Sequence, residues 1–167
     1  ILGIVLTMTM IMITSMAIVR ERERGTLEQL IVTPMKSYEL MLGKIIPYVF
    51  VGYVQVTLAL LVGIFVFDLP VQGSILLLYG LTLIYILAAL ALGILISNMA
   101  QTQMQAMQMS FFIFLPSILL SGFMFPREAM PRFFFWLSHV IPLTFFLEIL
   151  RGIILKGLSI RFLWSQI

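Results

Sequence analysis

Side chains able to do chemistry are few in this sequence and unevenly placed. There are ten Lys or Arg, seven Asp or Glu, one His and no Cys. Without cysteine there are no disulfides and no thiolate metal ligands. The single histidine, His139, sits among Phe133, Phe134, Phe135, Trp136 and Phe145, the setting of an interfacial residue rather than of a ligand. No His-Glu-x-x-His zinc motif occurs. No Gly-x-x-x-x-Gly-Lys-[Ser/Thr] occurs either, so this chain has no loop to cradle ATP phosphates and any ATP use falls to a partner. Thr7, Thr9, Thr14, Thr57 and Thr82 lie inside apolar runs. Hydroxyls in lipid bond back to their own helix or to a neighbouring one, which leaves little scope for a nucleophile.

What remains is one dense cluster. Residues 20–44 carry nine charges: Arg20, Glu21, Arg22, Glu23, Arg24, Glu28, Lys36, Glu39 and Lys44. Gly25 predicts the end of the helix that enters the cluster. Thr26-Leu27-Glu28-Gln29 reads as a capping box, with Thr26 as N-cap and Gln29 reaching back. Glu28 falls in the first turn, where the helix dipole favours an anion. Leu27, Leu30 and Ile31 make an apolar stripe, and Pro34 disfavours helix at Thr33. The spacing predicts an amphipathic helix of about two turns, with Ser37 as the next N-cap and Glu39 behind it. Such a helix serves either as a plain interfacial linker or as a docking knob for a soluble partner. The density of start and stop signals favours docking.

The elements that position this cluster are apolar. Hydrophobic residues make up 62% of the 167, charged residues 10%, and the mean hydropathy is +1.14. Soluble domains are nearer half apolar and a quarter charged. A membrane span needs about 20 mainly apolar residues. Spans are predicted at 1–19, 45–67, 74–97 and 106–125, and none of them contains Asp, Glu, Lys or Arg. Residues 126–167 interleave charges with aromatics and hold Pro126, Pro131 and Pro142, which fits short re-entrant or interfacial helices. Gly122 and Pro126 would let the chain turn back, with Pro142 as a further hinge. Five basic residues in the 20–44 loop and none in 68–73 put the loop in the cytoplasm. The rule then conflicts with the basic segment 127–167, which begins outside. The basic residues form two clusters rather than a stripe, which argues for headgroups and against nucleic acid. The apolar start at Ile1 and the basic-apolar end at Ile167 read as a piece of a longer protein.

Two stretches resemble a known family. Arg22-Glu23-Arg24-Gly25-Thr26-Leu27-Glu28-Gln29-Leu30 with Thr33-Pro34 is similar to the loop after the second span of ABC type-2 exporter permeases. Leu120-Ser121-Gly122-Phe123-Met124-Phe125-Pro126, then Met130-Pro131, Ile141-Pro142-Leu143-Thr144 and Leu150-Arg151-Gly152 are similar to its segment between spans five and six. The resemblance covers essentially the whole chain in order and spacing. It implies an all-α, polytopic helical bundle: spans two to five, a cytoplasmic coupling helix and external re-entrant helices, in a bacterial inner membrane. It implies a homodimer or heterodimer of permeases with ABC ATPase subunits, which bind the ATP and Mg2+; this chain binds no cofactor or metal and is not itself an enzyme. It also resolves the charge conflict, since a re-entrant segment is not a translocated loop.

On this reading Glu21, Arg22, Glu23, Gly25, Thr26, Glu28, Gln29, Leu30 and Pro34 form the contact with the ATPase. The uncharged spans suit amphipathic or apolar cargo, drug-like or lipid-like. Gln55 and Thr57, with Gln105 and Gln108 among Met104, Met107 and Met109, are candidate pathway residues; helix packing is the plainer role. Ion-coupled carriers keep an ionisable group near the midplane, and these spans have none. The competing reading is a membrane scaffold or a secondary-carrier fragment.

Overall fold

A computed structural model describes residues 1–25, 37–68, 73–124 and 130–156. The coupling-helix residues Thr26, Glu28, Gln29, Leu30 and Pro34 lie outside the described residues, as does Pro126. The described residues form six helices: α1 Leu2–Glu23, α2 Ser37–Phe67, α3 Ile75–Met99, α4 Gln103–Leu120, α5 Arg132–Ser138 and α6 Pro142–Lys156. Four of these, α1 to α4, are long and apolar enough to cross a membrane. The chain is an all-helical membrane bundle.

Helix ends and apolar ends do not coincide. At 1.5 Å per residue the 31 residues of α2 span about 46 Å, well beyond a hydrocarbon core of about 30 Å. Its extra length lies before Ile45, where Ser37, Glu39 and Lys44 are carried out of the apolar zone on continuous helix. Likewise α1 runs on through Arg20–Glu23 as helix. It stops at Gly25, whose φ of +68° is open to glycine and strained for other residues. The Gly25 amide donates back to Arg22 O at 3.1 Å. The fourth helix starts earlier than its apolar run, at Gln103, and ends at Leu120, because Gly122 takes φ +76° just after it.

The hub is α1. It packs most extensively on α3 and α4, and also touches α2 and α6. Leu6, Met10 and Ile11 of α1 are buried against Ile86, Ala89 and Leu90 of α3 and Leu143 and Phe146 of α6. Burial between spans in lipid has no hydrophobic driving force, so close packing and hydrogen bonds decide which faces meet. Gly93 of α3 lets the α1 backbone come close: a Cβ there would lie 2.8 Å from Thr14 Cβ and 3.1 Å from Ile11 O.

Three polar side chains of α1 each reach a different helix. Thr7 hydrogen-bonds the Tyr85 hydroxyl on α3. Thr9 accepts from Gln55 Nε2 on α2 at 3.1 Å. Ser15 meets Ser110 on α4 at 3.0 Å. By contrast the outer face of α2 presents Phe50, Leu58 and Phe65, a surface that lipid solvates without cost.

The last two helices form a broken pair. α5 and α6 meet at 78° across residues 139–141. His139 ends α5, its Nδ1 donating to Phe135 O at 2.9 Å, and Pro142 opens α6, where a missing amide hydrogen costs nothing. α6 is one-sided: Leu143, Phe146, Leu147, Leu150 and Ile153 are buried, and Arg151 is exposed. Phe146 stacks on Tyr85 with ring centroids 4.0 Å apart. Phe133 and Trp136 of α5 stand exposed, as aromatics do at a membrane interface. Arg151 donates to Gly122 O at 3.3 Å, tying the end of α4 to α6.

Candidate functional site

Three consecutive side chains at the end of α1 reach three other helices. Glu21 pairs with Lys44 of α2. Arg22 Nη1 donates to the Ala100 carbonyl, the C-cap of α3, at 3.2 Å. Glu23 accepts from the Gln103 backbone amide at 3.0 Å and from its Nε2. Gln103 is the first residue of α4, so the Glu23 carboxylate occupies a helix N-terminus, where free amides and the dipole both favour an anion. The Arg22 guanidinium meets the opposite pole, a carbonyl at a helix C-terminus, where a cation belongs. Together they form a polar collar that grips the α3–α4 turn from the end of α1.

The electrostatics fit this arrangement. Hydrogen bonds from the Gln103 side chain and backbone hold the Glu23 carboxyl below the usual carboxylate range, with a small opposing effect of desolvation. The turn is braced from its own side as well. Thr102 caps α4 by accepting from Gln105 N at 3.2 Å, and Gln105 Oε1 accepts from Gln101 N at 2.8 Å. Thr102-Gln103-Met104-Gln105 therefore behaves much like a capping box.

The structure places the sequence-predicted residues as follows. Glu21, Arg22 and Glu23 come together at the collar with their side chains directed to their own chain. Gly25 ends α1 and leads into residues 26–36. Gln105 braces the α3–α4 turn, while Gln108 is exposed on α4. Gln55 is spent on Thr9, with Oε1 buried and unpartnered. Thr57 donates to Tyr53 O at 2.7 Å and meets the Tyr79 hydroxyl at 2.6 Å. The two pairs of candidate pathway residues are thus divided between α2 and α4. Among the described residues no hydrogen bond joins one pair to the other. An open groove of about 490 Å³ runs along Met8, Thr9, Met12, Met16 and Arg20 of α1 and includes Gln103 of α4. Lys44, Gln103 and Ser110 are participants that sequence reasoning passed over. The cap motif at 102–105 was a readable signal for the α4 start; Lys44 and Ser110 carry no local signal. Among the described residues no group of three His, Cys, Asp or Glu side chains is arranged to hold a metal.

Four helices able to span a membrane and a bent pair, with a charged collar at one end, define a polytopic membrane protein. The family model described as ABC-2 type transporter matches residues 1–155, and the chain belongs to that family. It is 36% identical over 166 residues to "Probable multidrug ABC transporter permease YbhR" of Escherichia coli (strain K12), covering 99% of this chain and 45% of the relative. It is 37% identical over 155 residues to "Probable multidrug ABC transporter permease YbhS" of the same strain, covering 92% and 41%. "ABC transporter G family member 20" of Dictyostelium discoideum is 28% identical over 152 residues, covering 91% and 21%. The chain therefore spans less than half the length of these curated relatives. No solved structure matches it. It is integral to the membrane.

Proposed function

We propose that this chain is the force-receiving part of an ATP-driven exporter in the bacterial inner membrane. Residues 26–36 seat on a partner ABC ATPase, which binds and hydrolyses ATP with Mg2+. Closure of the ATPases moves the end of α1. The observation that carries the proposal is the collar: Glu21, Arg22 and Glu23 tie that end to α2, α3 and α4. A push delivered through Gly25 would reach four spans together rather than one. Two permeases, identical or different, complete the transporter, and the methionine-lined α1–α4 groove is the face turned toward the second copy. Cargo is amphipathic or apolar, since Met surfaces adapt to varied shapes and the apolar stretches of α1 to α4 hold no charge. The multidrug naming of the bacterial relatives supports this cargo class, and the exporter direction is part of the proposal.

Glu28→Lys in the full-length permease tests the docking step. Co-purification of the ATPase should drop sharply while membrane insertion is unchanged. Full transport of a dye panel by that variant in ATPase-loaded vesicles would overturn the docking role.

A further inference from the structure

Below the collar, α1, α2 and α3 enclose a pocket of about 210 Å³. Its wall is apolar, formed by Ile18, Ile45, Leu90 and Ile94. Its polar end carries Lys44, Tyr48 and Asn98. Thr14, the deepest of its lining residues on α1, lies seven residues before Glu21, so the pocket reaches about 10 Å from the collar into the apolar zone.

Thr14 lines the pocket and differs from three other threonines of the spans. Thr7, Thr9 and Thr57 each donate to the carbonyl four residues earlier on their own helix. Thr14 is 2% exposed, and its Oγ1 has no hydrogen-bond partner. A buried hydroxyl without a partner costs about 1–3 kcal/mol. Thr82 and Thr144 share that state, but neither lines this pocket. At the mouth Lys44 is already ion-paired with Glu21. A charged ligand head would have to compete with one of these two groups for the other, whereas a neutral head need not.

We infer that this pocket binds a neutral amphipath of one to two rings, an acceptor group bonded to Thr14 and its polar end toward Lys44, Tyr48 and Asn98. The size follows from volume, because a cavity of about 150 Å³ takes up benzene. As an intake site for cargo the inference rests on the exporter reading; as a binding site it does not.

The test uses the full-length permease in nanodiscs without ATP, with empty nanodiscs subtracted. The probe is 6-propionyl-2-dimethylaminonaphthalene, a fluorescent neutral ketone. Its companions have the same rings with a propyl group in place of the ketone, with a trimethylammonium head, or with a carboxylate. Saturable binding of the ketone is expected. Ile94→Trp, which fills the pocket, should weaken it at least tenfold. Thr14→Val should weaken the ketone about fivefold, the size of one neutral hydrogen bond, and leave the propyl compound unchanged. The two charged probes should bind at least tenfold more weakly than the ketone. Equal ketone binding by the parent and Ile94→Trp, equal loss of ketone and propyl compounds in Thr14→Val, or equal binding of a charged probe would each overturn the proposal. ATPase co-purification and dye transport by the same proteins judge the exporter reading separately.

Discussion

Two glycines at helix crossings make a quantitative comparison possible. A Cβ on Gly52 of α2 would lie 2.7 Å from Ile86 Cδ1, and one on Gly93 of α3 would lie 2.8 Å from Thr14 Cβ and 3.1 Å from Ile11 O. The nominal overlaps are almost equal, but the obstacles differ. Ile86 Cδ1 is the far end of a side chain and can rotate aside. Thr14 Cβ and the Ile11 carbonyl are fixed to the α1 backbone, so α1 and α3 must separate. Carbon atoms pack best at about 3.5–4.0 Å, so the separation needed is roughly 0.7 Å or more. Overpacking of this kind costs about 1–3 kcal/mol. Gly to Ala in a helix returns about 1 kcal/mol at both sites. The return is common to both sites, so Gly93→Ala is expected to be less stable than Gly52→Ala by about 1–3 kcal/mol. The assay is reversible unfolding of the full-length permease in mixed micelles, both variants measured beside the parent. A Gly93→Ala protein as stable as Gly52→Ala would refute the claim that α1 and α3 meet backbone to backbone at this point.

Other outcomes follow from the same contacts. Tyr85→Phe removes the hydrogen bond to Thr7 and should cost only about 0.6 kcal/mol, the average for interhelical hydrogen bonds in a membrane, read in the same unfolding assay. A Ser15→Ala and Ser110→Ala double-mutant cycle should give a coupling energy of similar size, about 0.6 kcal/mol. Glu23 should titrate below the usual carboxylate range, and Gln103→Ala should move it upward, followed by carboxyl NMR of selectively labelled protein. A depressed folded pKa means that the Glu23–Gln103 contact contributes stability above the ordinary carboxylate pKa. That contribution disappears as pH falls through the depressed value, so at neutral pH the contact is fully formed.

The bundle was legible because its signal is local and repeated. Uncharged runs such as 1–19 can only be membrane helices, and Gly25 announced the end of α1. Helix limits were less legible, because apolar content marks the edge of the lipid and not the end of hydrogen bonding. The cap signal at Ser37 marked the start of α2, whereas the apolar run marked only Ile45. The collar was hidden for a different reason. Glu23 and Gln103 are 80 residues apart, and nothing in either neighbourhood names the other. From the sequence Glu21, Arg22 and Glu23 read as contacts for a partner, and nothing in either neighbourhood points to their bonds within the chain. Their geometry turns them inward onto Lys44, Ala100 and Gln103. Gln55 and Gln105 looked alike as polar interruptions, yet one bonds a neighbouring span and the other caps a turn. Composition cannot separate those roles, because each depends on what folds beside it.

The claim that the collar passes ATPase movement to α3 and α4 is tested most directly by the ratio of dye transported to ATP hydrolysed. The measurement compares the parent with an Arg22→Ala, Glu23→Gln double variant, each reconstituted with its ATPase in vesicles. The account predicts normal ATPase co-purification, continued ATP hydrolysis and a ratio reduced severalfold, since the docking segment is untouched and only its link to the α3–α4 turn is cut. An unchanged ratio with the ATPase bound would contradict it.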